Sequence, residues 1–199
     1  MKNAVIYIHG RGGSAREAEH YKPLFGDCDV FGMDYTAQNP WEAKAEFPGL
    51  FDSNCGQYET VTLIANSIGA YFAMCALSDK KIDKAYFISP VVDMERLIAD
   101  MMTAAGVSET ELREKGTVKT DLGQTLSFEY LQYARENPVK WAIPTHVLYG
   151  ENDELTPFEL IRGFADNSGA TLTVMKNGEH WFHTDEQMRF LDEWIKNYR

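Results

Sequence analysis

Basic residues are scarce in this chain. Of its 199 residues, 19 are Lys or Arg and 30 are Asp or Glu, which leaves a net charge of −11. Such a chain offers no polycationic surface to a phosphate backbone or an anionic bilayer, so no nucleic acid and no membrane is expected as a partner. Cysteine is also sparse: Cys28, Cys55 and Cys75 are too few for a disulfide framework, and none sits in a Cys-x-x-Cys pair. The five histidines show neither H-E-x-x-H nor H-x-x-E-H spacing, so no metal and no cofactor is expected. Long apolar runs are missing, and none approaches the roughly 20 residues that a membrane helix needs. The opening MKNAVIYIHG has too short an apolar stretch and no small-residue cleavage site for a secretory signal. The expectation is a reduced, cytoplasmic, globular protein. Repeats and low-complexity tracts are absent as well.

What is present is an alternation. Short runs rich in β-branched and aromatic residues occur at Ala4–Ile8, Asp29–Met33, Thr60–Ala65, Lys84–Ile88, Thr145–Tyr149 and Thr171–Met175. Helix signals separate them. Ser14 with Glu17 forms an S-x-x-E capping box, which predicts a helix from Ala15 toward Leu24. Asn39-Pro40-Trp41-Glu42 predicts a helix from Pro40, disturbed at Pro48-Gly49. Thr156-Pro157-Phe158-Glu159 places the next helix start at Pro157 with Thr156 as its cap, and the last helix runs from Asp185 to Tyr198. Six strands alternating with helices predict an α/β fold with a mostly parallel sheet covered on both faces. Such sheets bind ligands at the carboxyl ends of their strands.

The alternation is interrupted between residues 91 and 140. Helices are expected at Met94–Ala105, after the Ser108/Glu111 capping box as far as Gly116, and at Ser127–Glu136, with Thr117–Thr125 as a hairpin or loop. About fifty residues exceed what a crossover needs. Met94, Met101, Met102, Phe128, Tyr130 and Tyr133 in this insertion either line an apolar, adaptable pocket or fix the insertion to the sheet.

At the centre lies Thr60–Leu77, TVTLIANSIGAYFAMCAL. An apolar strand passes through Ala65-Asn66-Ser67-Ile68-Gly69 into a helix carrying Ala70, Ala73, Met74 and Leu77 on one face. A serine at so tight a turn is lifted off the sheet beside helix N-terminal N–H groups, and small residues two before and two after it let strand and helix approach. The stretch resembles the G-x-S-x-G nucleophile elbow of the α/β-hydrolase superfamily, with Ala65 in place of the first glycine. His9-Gly10-Arg11-Gly12-Gly13 resembles the His-Gly loop after that family's first central strand. It fits neither G-x-x-x-x-G-K-[ST] nor G-x-G-x-x-G, which sets a nucleotide cradle aside.

The resemblance implies an α/β-hydrolase fold with about six strands, a single domain over residues 1–199 and a small cap at about 91–140. It implies Ser67 as nucleophile, Asp153 of G-E-N-D-E-L-T-P as acid and His180 as base, in the family's chain order. The Arg11 and Ile68 N–H groups would form the oxyanion hole, with His9 and Gly10 as the supporting loop. Glu151, Glu154 and Asp93 compete for the acid's place. His146 reads as a core residue and His20 as a solvated one. His183 rivals His180, but Thr184-Asp185-Glu186-Gln187 is a T-x-x-Q capping box. That makes Thr184 the cap and ties His183 to the helix start, packed against Met188. Asn177-Gly178 suits a sharp turn that swings His180 toward Ser67, with Trp181 and Phe182 packing around the loop. The expected activity is hydrolysis of a small acyl ester through an acyl-enzyme. Thioesterase or acyl-peptidase activity on the same residues is a second reading, and a silent ligand-binding protein a third.

Overall fold

The computed structural model describes residues 2–121 and 123–199. The chain divides into two compact units, residues 1–92 with 140–199, and residues 93–139.

The larger unit is built on six parallel strands: β1 (Asn3–Ile8), β2 (Asp29–Gly32), β3 (Thr60–Asn66), β4 (Lys84–Ile88), β7 (Thr145–Gly150) and β8 (Thr171–Met175), in the order β2-β1-β3-β4-β7-β8. Parallel strands are covered on both faces, so central ones carry continuous apolar runs. Ala4, Val5, Ile6, Tyr7 and Ile8 of β1 are all buried, as are Leu63, Ile64 and Ala65 of β3. Ile6 pairs with Leu63 and Ile8 with Ala65, which brings the carboxyl ends of β1 and β3 side by side. The order reverses next to β1, because β2 lies outward of it and β3 inward. That is the kind of switch point where open parallel sheets form a crevice.

Helices α1 (Pro40–Cys55), α2 (Ile68–Ala76), α6 (Phe158–Ser168) and α7 (Asp185–Tyr198) complete this unit with a 3-10 segment, Ala15–Phe25. The first two helical segments differ from expectation. The segment after Ser14 is 3-10 rather than α, and it contains Pro23, which has no N–H for the Glu19 carbonyl and crowds an α turn. Conversely, α1 continues through Pro48. Its stripe Ala43, Phe47, Phe51 and Cys55 is buried. Burying each phenylalanine contributes about 1.5–3 kcal/mol, which outweighs the roughly 3 kcal/mol cost of an interior proline. In α7, Thr184 Oγ1 caps the helix by accepting from the Gln187 N–H at 3.2 Å. Leu191, Trp194 and Ile195 on its inner face are buried in a cluster with Tyr7, Tyr21, Phe25 and Tyr86.

The smaller unit holds α3 (Met94–Ala105), α4 (Glu109–Lys115), the antiparallel hairpin β5 (Thr117–Lys119) with β6 (Thr125–Ser127), and α5 (Phe128–Glu136). The hairpin resolves the open reading of this stretch. Met94 and Met102 are buried, as are Leu112, Leu126 and Leu131. Arg135 joins the three helices, bonding Glu95 at 2.7 Å and Glu109 at 3.1 Å. Among the described residues, no helix is long and apolar enough to cross a membrane.

Candidate active site

Ser67 stands between β3 and α2 with φ 51° and ψ −122°. A non-glycine residue there costs on the order of 1–3 kcal/mol, so its surroundings must hold it. Its N–H donates to the Ile88 carbonyl at 3.0 Å, and its own carbonyl accepts from the Val91 N–H at 3.1 Å. Both partners belong to the end of β4 and the turn after it. The close approach that the small residues allow is visible at Gly69. A Cβ there would lie 2.3 Å from the His9 carbonyl oxygen and 2.9 Å from that of Ile8. The tight junction therefore presses the first turn of α2 onto the end of β1 and leaves Ser67 at the crevice.

His180 comes from the loop after β8. Asn177 takes the left-handed conformation with φ 57°, and the Gly178 N–H closes onto the Met175 carbonyl at 3.1 Å. The loop after β7 is stitched to it: the Asn152 N–H donates to the Gly178 carbonyl at 2.7 Å and the Glu151 N–H to the Met175 carbonyl at 3.0 Å. Gly150 makes room for this, since a Cβ there would sit 2.5 Å from the Glu179 carbonyl oxygen.

These two loops and the elbow bring three side chains together. Ser67 Oγ lies 2.9 Å from His180 Nε2, and His180 Nδ1 lies 2.7 Å from Asp153 Oδ2. The Asp153 side chain is fully buried, and that of His180 is partly buried, 23% exposed at the cleft. Asp153 Oδ1 accepts the Leu155 and Thr156 N–H groups at 2.8 and 3.1 Å, and Oδ2 accepts the Thr156 hydroxyl at 3.0 Å. Burial pushes the Asp153 carboxyl up. The bond to His180, its charge and the two backbone N–H groups more than offset this and hold it below the usual carboxylate range. Thr156 is thus not the cap of α6, which begins at Phe158 after Pro157 with no side-chain cap. Its hydroxyl serves the aspartate instead.

The lowered carboxyl gives a stability prediction. A group with a depressed folded-state pKa contributes stability above its unfolded value, about 3.9, and loses it as pH falls through the folded value. The unfolding free energies of the wild type and Asp153→Asn, measured in urea, are expected to differ by a constant gap from neutral pH down to about 4. Below that the gap closes. A gap that persists undiminished at pH 2.5 contradicts the assignment.

The rival acids are engaged elsewhere or exposed. Asp93 caps α3, accepting from the Arg96 N–H at 2.9 Å. Glu151 accepts from the Asn177 N–H at 2.9 Å, and Glu154 is exposed. His9 binds the Gly10 carbonyl at 2.8 Å and stacks on Tyr35 at 4.2 Å, so it orders its own loop. His146 is half-buried, bonded to Thr171 at 2.7 Å and stacked on Tyr198, and burial lowers its pKa. His20 is not simply solvated: its Nε2 meets Asp192 of α7 at 2.7 Å. His183 is exposed, bonded to the Trp181 carbonyl at 2.7 Å, while Met188 packs against the core.

A cleft of ≈ 410 Å³ opens over Ser67 and His180. Arg11, in the turn closed by the Gly13 N–H onto the Gly10 carbonyl, lines it. Ile68 is the first residue of α2, where the backbone N–H has no intrahelical acceptor. Four further lining residues carried no signal of this role in the sequence: Glu17, Asn66, Leu155 and Trp181. Glu17 read only as a helix cap. Its Oε1 does accept the Ser14 N–H at 2.9 Å, but its Oε2 accepts the hydroxyl of Tyr7 at 2.5 Å. This ties the glycine loop to β1, and burial, the neighbouring Tyr21 and the bond to Glu17 push the Tyr7 phenol above its usual range. Trp181 was expected to pack into the loop. Phe182 is buried, but Trp181 is 66% exposed.

No family model and no curated protein matches the sequence. Solved structures do match the fold. Est1E from Butyrivibrio proteoclasticus is 16% identical, with a TM-score of 0.76 over 99% of this chain and 86% of its own. Mouse alpha/beta hydrolase domain-containing protein 10 is 14% identical, with a TM-score of 0.72 over 98% of this chain and 88% of its own. The monoacylglycerol lipase of Paleococcus ferrophilus is 18% identical, with a TM-score of 0.61 over 98% of this chain and 95% of its own. Strand order, elbow and structural likeness agree: the chain has the α/β-hydrolase fold.

Proposed function

We propose that this chain is a serine hydrolase that cleaves small acyl esters. The observation that supports it is the hydrogen-bonded line from Ser67 Oγ through His180 to buried Asp153, opening on a cleft. A serine hydroxyl needs a base to attack at neutral pH, and an imidazole with a second, ring-fixing partner supplies one. In the proposed reaction Ser67 Oγ bonds to the ester carbonyl carbon as its proton passes to His180 Nε2. Asp153 holds Nδ1–H and stabilises the imidazolium. The carbonyl oxygen gains a negative charge, which the Arg11 and Ile68 N–H groups receive. The C–O bond to the alcohol then breaks, and His180 returns the proton to the departing oxygen. Water repeats the sequence on the acyl-enzyme: His180 takes its proton, the acid is released and Ser67 recovers its hydrogen. A structural neighbour named as a monoacylglycerol lipase is in keeping with an ester substrate.

The test is incubation with a fluorophosphonate probe, followed by a panel of short-chain esters, thioesters and amides. The expected result is stoichiometric labelling of one serine and turnover highest on esters. Absence of labelling together with absence of turnover on every ester overturns the proposal in favour of a ligand-binding protein.

A further inference from the structure

Single exposed apolar residues are ordinary on a protein surface. Trp181 differs in three respects. It lines the cleft that holds Ser67 and follows His180 directly in the chain. Although 66% exposed, its indole is supported from behind, since it stacks on the His183 ring at 4.4 Å with 19° between planes. His183 is itself fixed, by the Trp181 carbonyl at 2.7 Å and by its N–H to Gln187 Oε1 at 3.0 Å. Finally, Trp181 is accompanied in the cleft by Leu155, 37% exposed, whose N–H is anchored on Asp153. A flat, apolar face braced by a second ring and left open in the cleft that holds Ser67 is available to a ligand rather than spent on the protein's own core.

We propose that Trp181 is the platform of a substrate subsite, and that the substrate carries a planar aromatic group within a few bonds of the scissile ester. The proposal rests on the hydrolase reading of Ser67. An indole stacks on planar rings in offset geometry and gains more from them than from an alkyl group of equal size. Arg11 lines the same cleft, and a guanidinium plane also stacks on aromatic faces. Leu155 supplies an apolar wall. A cleft of ≈ 410 Å³ lies at the small end of ligand sites, which suits one ring and a short acyl or alcohol portion better than a long chain.

The test separates planarity from bulk with two matched pairs. Methyl phenylacetate against methyl cyclohexylacetate probes the acyl side, and benzyl acetate against cyclohexylmethyl acetate probes the alcohol side. The wild type is expected to favour the phenyl member of at least one pair by about threefold to tenfold in kcat/KM, mainly through KM. Trp181→Phe keeps the preference. Trp181→Leu, which retains bulk but loses the plane, abolishes it, with the loss falling on KM for the phenyl esters and not on the cyclohexyl ones. A preference that survives in Trp181→Leu, or an equal loss of kcat on all four esters, overturns the subsite and leaves Trp181 a structural residue. Binding is read independently by titrating Ser67→Ala with benzyl acetate and following tryptophan fluorescence. A change that disappears when Trp181→Phe is added supports the platform, and its absence refutes it. If no ester is hydrolysed, the hydrolase reading falls and the titration alone decides the platform.

Discussion

Ser67→Ala is expected to abolish ester hydrolysis and fluorophosphonate labelling while leaving the fold intact. The loss in kcat should be roughly 10⁴-fold or more, the scale on which removal of one member of a serine–histidine–acid unit is felt. The structural cost is small because alanine keeps the Cβ. The Ser67 Cβ is what the glycine loop packs toward, at 3.1 Å from a Cβ placed on Gly10. The backbone bonds to Ile88 and Val91 do not involve the side chain. What disappears is Oγ and its contact with His180 Nε2. A partly exposed neutral hydrogen bond is worth about 0.5–1.5 kcal/mol net, so the urea midpoint should shift little. Turnover within tenfold of wild type, or labelling that persists on another serine, sinks the assignment of Ser67.

The strands were legible because parallel sheets require uninterrupted apolar runs, and a run such as Ala4–Ile8 has no competing helical period. The N-caps at Asn39, Ser108 and Thr184 were legible for a different reason, since a capping side chain acts within its own four residues. Thr156 shows the limit of that logic. Locally it has every mark of a cap before Pro157, yet its hydroxyl is turned to donate to the buried carboxylate three residues earlier, a charge-assisted bond stronger than a capping contact. Pro48 shows another. Its local cost is plain in the sequence, but the burial of Phe47 and Phe51 that overrides it belongs to the tertiary fold.

The candidate site divides along the same line. Ser67, Asp153 and His180 were nameable because each follows a strand, and strand ends converge in a parallel sheet. Their separations, 2.9 and 2.7 Å, depend on loop stitching between Asn152 and Gly178 that no motif records. Glu17 and Trp181 were missed because each carries a sufficient bland reading, one as a cap and one as loop packing. Only the shape of the cleft distinguishes an exposed indole at its edge from one that packs its own loop.

The second large effect separates two neighbouring histidines. His180→Ala is expected to lower kcat by roughly 10⁴-fold or more, because Ser67 then has no proton acceptor. It should also lower stability by about 1–3 kcal/mol, since the buried Asp153 carboxylate loses a partner. Leu155 N–H, Thr156 N–H and the Thr156 hydroxyl remain on that carboxylate, which limits the damage. His183→Ala is expected to change kcat by less than about tenfold and stability by about 1 kcal/mol or less. Its ring is exposed, faces Trp181 and lies 3.6 Å from Glu179, and its N–H bond to Gln187 is a backbone contact that alanine keeps. Removing the ring frees the indole it supports, so its effect should fall on KM for aromatic esters rather than on turnover. Steady-state kinetics and urea unfolding on both variants decide the matter. If His183→Ala is the inactive variant at normal stability, the base is His183 and the relay through His180 to Asp153 serves the fold alone.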